Sequence, residues 1–174
     1  MGTVADDKGS SRVGVPSAGY RSWPGPAREM ALAVDAAVSA ARSADAPAFT
    51  DAMAGLGLVD REQLAVLLGS VTRDLLERSH PDGLGAADAE RVLGSCARAS
   101  ASWYEMLDSD VLVVALTGAL GISDPDEPPP DGAAVVAHGL LLITDQLRLL
   151  GQELPPVLEG ALAELMRAQT MELP

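Results

Sequence analysis

The sequence predicts an all-α protein: a single orthogonal or mixed bundle of six or seven helices over residues 23–174, behind a disordered tail of residues 1–22. Three observations lead there. Apolar residues recur at helical spacing along most of the body, and proline, glycine and N-capping aspartate punctuate it into segments. The one stretch that reads equally well as a strand, Val111-Leu112-Val113-Val114-Ala115-Leu116, has no second strand to pair with and is therefore taken as helix.

The strongest segment is Ala133–Leu150, and the rest of the body is expected to pack around it. Val136, Leu140, Ile143, Leu147 and Leu150 form one stripe, with Val135, Leu142 and Leu149 in a second row beside it. His138, Asp145, Arg148 and Gln152 form the narrow polar edge, expected to be wet. Asp131 is the predicted N-cap, and Gly151 followed by Pro155 marks the exit.

Taken in order, Met1–Ser22 is rich in Gly, Ser and small polar residues without a periodic apolar face, which predicts disorder; Tyr20 and Trp23 at its end are expected to dock on the body. Pro24 and Pro26 open a first helix to about Ser43, where their missing N–H groups cost nothing. Asp45 and Pro47 announce a second, burying Phe49, Ala52, Met53 and Leu56, and Gly55 and Gly57 end it. Asp60 and Gln63 form a capping-box pattern ahead of a third helix to about Arg78, with Leu64, Leu67, Leu68, Val71 and Leu75 inward. Arg73 and Glu77, and Asp74 and Arg78, are spaced to pair across one turn.

Ser79-His80-Pro81-Asp82-Gly83 predicts a turn. A fourth helix, about Ala86–Leu107, places Val92, Cys96, Ala99, Trp103 and Leu107 on one stripe, and the small residues from Gly94 to Ser102 allow another helix to approach closely. Ser109 or Asp110 is the expected cap of the next. A stiff loop, Gly121–Asp131, carries three consecutive prolines and four acids, and Pro155 and Pro156 start a last helix with Leu158, Leu162, Leu165 and Met166 inward.

Composition narrows function by exclusion. There are 12 Lys and Arg against 25 Asp and Glu; residues 1–22 carry +1 and the body −14, a field that repels nucleic-acid phosphates. The absence of Asn and the single Lys match a GC-rich coding bias. One cysteine, Cys96, permits no internal disulfide and fits the cytoplasm. No signal peptide or myristoylation motif is expected at the start, and the uncharged run Val111–Ile122 is too short to span a bilayer, so no membrane partner is predicted.

No residue pattern points to catalysis, a cofactor or a metal. His80 and Asp82 are a solvent-facing turn pair without a third ligand; His138 and Asp145 lie two turns apart, too far to share a metal, and His138 is expected at a surface or interface. Cys96 on its apolar stripe is core filler rather than nucleophile. An EF-hand reading from Asp124 fails because Pro129 and Val135 stand where Gly and Glu are required. The leading expectation is a cytoplasmic, non-enzymatic interaction module that binds a protein partner, of basic character, through Asp124, Asp126, Glu127 and Asp131. The alternative is a binder of small apolar ligands with a pocket between Trp103 and Leu140. Either is compatible with a homodimer through the small-residue face of the fourth helix.

Overall fold

The computed structural model describes Tyr20, residues 23–122 and residues 131–171. Among the described residues the secondary structure is entirely helical: α1 Gly25–Arg42, α2 Ala46–Leu56, α3 Arg61–Ser79, α4 Ala86–Ser100, α5 Ser109–Ala119, α6 Gly132–Leu150 and α7 Leu154–Met171. The expected tail, Tyr20 apart, lies outside the described residues, as do Asp124, Asp126 and Glu127.

The starts of α2, α3, α5 and α6 follow from side chains that accept the otherwise unpaired first-turn N–H groups. Asp45 accepts from Ala48 N (3.0 Å), Asp60 from Gln63 N (2.8 Å) and Asp131 from Ala133 N (3.3 Å). Ahead of α5 the cap is Asp108, which accepts from Asp110 N and Val111 N, so Ser109 and Asp110 become first-turn residues. The fourth helix stops at Ser100 rather than Leu107, because the chain turns over Ser100, whose carbonyl accepts from both Trp103 N and Tyr104 N. The turn puts Trp103 and Tyr104 edge-on against Phe49, each with ring centroids 5.5 Å away.

Helix α6 occupies the centre, packed against α1, α3, α4 and α5, while α7 lies on α3 and α1 and α2 folds back on α1. Every residue of α6 from Ala137 to Leu147 is buried. The helix has the length and apolarity of a membrane-spanning segment, and the neighbouring helices cover most of that apolar surface. Burial of one Leu or Ile contributes roughly 1.5–3 kcal/mol, so the contiguous Leu140–Ile143 run makes α6 a major contributor to the core, beside the leucine stripe of α3. A charge at Leu142 would break it.

Burial also changes the expected wet edge. His138 and Asp145 are buried, and only Arg148 of that edge is well exposed. The His138 ring joins two helices: its Nε2 accepts from Asp108 N (2.9 Å), and its Nδ1, 2.7 Å from Ala134 O, then carries the proton and donates. Helical periodicity marked this side as polar, and the turn after α4 covers it. Conversely, Leu149 and Met166, expected inward, are exposed. Arg73 does not pair with Glu77; its guanidinium donates to Ala119 O at the end of α5, whereas Asp74 and Arg78 pair as expected. Tyr20 is buried on the body, as expected of an aromatic closing the tail.

Candidate functional site

Three helices end at one place. Helix α1 finishes at Arg42, α4 at Ser100 and α6 at Leu150, and residues from all three ends line a cleft of about 430 Å³. Its walls are Ala41, Arg42 and Ala44 from α1 and its exit; Ala99, Ser100 and Trp103 from α4 and its exit; and Leu141, Thr144, Asp145, Leu147, Arg148, Gly151, Gln152 and Glu153 from α6 and its exit.

Two of the ends close the same way. After α1, Ala44 N donates to Ala41 O (3.1 Å) and Asp45 N to Ala40 O (3.0 Å); after α6, Gly151 N donates to Arg148 O (3.3 Å) and Gln152 N to Leu147 O (2.9 Å). Both are Schellman turns, which need a left-handed residue just past the helix. Gly151 takes it at φ 61° at no steric cost, whereas Ala44 takes it at φ 53° against the preference of an L-residue.

The polar groups of the cleft are unequally satisfied. Arg42 bridges the two turns, donating to Glu153 Oε2 (2.7 Å) and to Gln152 O (2.6 Å). Arg148 donates to Asp145 Oδ1 at 2.7 Å, with the Arg side chain 60% exposed and the Asp side chain only 2%. The other oxygen of that carboxylate, Oδ2, is buried without a partner, and so is Gln152 Oε1. A buried acceptor left unpaired costs on the order of 1–3 kcal/mol, more when charged, so these two atoms define an unmet demand for hydrogen-bond donors.

Burial and the acids of the cleft, Asp145 and Glu153, raise the pKa of two groups behind its walls. Burial pushes the Cys96 thiol up to about 12, helped by the negative charge of Asp145 and opposed by a hydrogen bond with Ser100. The thiol is therefore protonated at neutral pH and enclosed, consistent with packing rather than nucleophilic chemistry. Asp35 on α1 is raised by burial and by Glu153 against the opposing pull of Arg42.

Of the residues singled out from sequence, Trp103 lines the cleft, its Nε1 donating to Ala99 O at 3.2 Å. Leu140 is wholly buried and does not; Leu141, one residue and 100° further round α6, takes that place. Asp131 caps α6 as expected and is not part of the cleft. His80 is half-buried, its Nδ1 2.8 Å from Ser79 Oγ, and Asp82 is exposed. Among the described residues no group of three His, Cys, Asp or Glu is placed to hold a metal.

No family model, curated protein or solved structure matches this chain. Asp145, Ser100, Arg42 and Gln152 carried no motif. The one available signal was Asp145 with Gln146 interrupting an apolar stretch between Ile143 and Leu147, a polar pair too central on α6 to be surface decoration.

Proposed function

We propose that this chain is a small-molecule-binding helical domain whose site is the cleft at the joined ends of α1, α4 and α6. The observation that carries this is Asp145: a buried carboxylate at the wall of a ligand-sized cleft, with one oxygen held by an exposed arginine and the other by nothing. Cofactor and ligand sites are concave, largely apolar and furnished with a few convergent polar groups, and a volume of about 430 Å³ falls in their range. A further groove among the described residues, about 560 Å³ between α3, α5 and α7, is lined by small and apolar residues with Arg73, Ser70 and Glu164, and none of the buried unpaired atoms belongs to its lining.

The test fills the cleft. Ala99 is exposed at its wall, so Ala99→Trp occupies the space without disturbing the core. A fragment library read by ligand-observed NMR should give hits on the natural chain that Ala99→Trp loses while keeping its helical circular dichroism. Hits that survive the substitution would place binding elsewhere and refute this reading.

A second reading, the non-enzymatic interaction module, draws on Ile122, which is 64% exposed immediately before the acidic segment. Reversing Asp124, Asp126 and Glu127 to Lys should then abolish capture of a basic protein partner. Asp131 is left in place because it caps α6.

A further inference from the structure

We infer that the cleft takes a small organic cation, a primary ammonium or guanidinium on a short apolar body. This rests on the reading of the cleft as a ligand site and names what the ligand must offer.

Helix C-termini carry partial negative charge on their last carbonyls, and here three of them, those of α1, α4 and α6, converge on one cleft. Among the described residues, the buried lining atoms that lack a partner are both acceptors, Asp145 Oδ2 and Gln152 Oε1. Neither an anion nor a hydrocarbon can satisfy them; a ligand bearing N–H donors can satisfy both.

The chain already answers part of this demand with its own cations. Arg42 is committed twice, to Glu153 and to the Gln152 carbonyl. Arg148 is held only at Asp145 Oδ1, and most of its side chain lies in water. Because Arg148 is exposed and only three residues away on the same helix, it can swing into solvent when another cation takes its place at the carboxylate, so that the buried charge stays paired. Arg148 thus stands where the head group of a cationic ligand would sit, and competes with it. The Trp103 ring and Leu141 supply the apolar wall, and the aromatic face is attractive to a cation as well. With no set of three metal-ligating side chains among the described residues, an organic cation fits better than a metal ion.

The experiment titrates the full chain with three probes of matched shape, phenethylamine, 2-phenylethanol and 3-phenylpropionate, by isothermal titration calorimetry at pH 7. Phenethylamine should bind saturably, the alcohol at least tenfold more weakly, and the carboxylate not at all. Asp145→Asn should weaken the amine at least tenfold, and Arg148→Gln should tighten it several-fold by removing the competitor. Should Asp145→Asn fail to fold, Arg148→Gln decides alone: amine affinity unchanged or weakened overturns the proposal. Alcohol binding equal to amine binding, lost in Ala99→Trp, would overturn the cationic class while leaving the cleft as a ligand site. Preference for the carboxylate would overturn it in favour of Arg42 and Arg148 as anion receptors. Absence of binding by all three overturns both readings.

Discussion

Replacing Ala44 with glycine should stabilise the protein, and the gain can be worked from the two turns that rim the cleft. Ala44 sits at φ 53°, exposed, at the position of a Schellman turn that ordinarily belongs to glycine. A left-handed conformation costs an L-residue about 1–2 kcal/mol. Glycine removes that cost but brings back about 0.5–1 kcal/mol of unfolded-state freedom, so Ala44→Gly should yield a net gain of about 0.5–1 kcal/mol. Gly151 offers the reverse experiment: it has φ 61°, and a Cβ built there meets nothing within 4 Å, so Gly151→Ala isolates the backbone cost from any clash. It should lose about the same amount. For a chain of this size each kcal/mol moves Tm by about 2–4 °C, well within the precision of scanning calorimetry. Loss of stability in Ala44→Gly, or an unchanged Tm in Gly151→Ala, would show that the helix ends are not closed by these turns and that the cleft's rim is built differently.

Three further outcomes follow from burial. The Tyr20 ring is enclosed while its hydroxyl has no partner, so Tyr20→Phe should raise stability by about 1 kcal/mol and Tyr20→Ala should lower it by about 3–5 kcal/mol in urea denaturation; equal effects would mean the ring is not enclosed. His138→Leu removes the acceptor of Asp108 N and the edge contact to Tyr104, and should cost about 1–3 kcal/mol and alter the near-ultraviolet circular dichroism; an unchanged urea midpoint would show that water replaces the imidazole. Cys96 has an ordinary value of 9.0 raised to about 12 by folding, so the unfolded chain releases this proton first and stability should fall as pH rises from 9 towards 12, by up to about 1.4 kcal/mol per pH unit. Tyr20 and Tyr104, also raised by burial, add to the loss only above their ordinary value of 10.0, so Cys96→Ala should flatten the profile chiefly between 9 and 10; an identical slope in the variant would refute the assignment.

The elements were legible in the sequence because their causes are local. Asp45, Asp60 and Asp131 cap the helices they were expected to cap, since each needs only an N–H two or three residues away. The apolar stripe of α3 points inward as the 3.6-residue period requires. The end of α4 was less so: Ala101, Ser102 and Trp103 tolerate a helix well enough, and what stops it is the docking of Trp103 and Tyr104 on Phe49, a residue far back in the chain on α2. Periodicity also says which side of a helix is polar but not what covers it, which is why His138 and Asp145, on an edge expected to be wet, are buried.

The sequence by itself thus determined the helical class, the caps and the central place of α6, because periodicity and capping act over one or two turns of chain. Only the tertiary structure decided the cleft. Bringing the ends of α1, α4 and α6 together joins residues separated by up to 111 positions, as in the contact of Arg42 with Glu153. The same packing takes Asp145 out of water and leaves one of its oxygens without a donor. That state comes from the neighbours that fold over the side chain, and no local pattern encodes it.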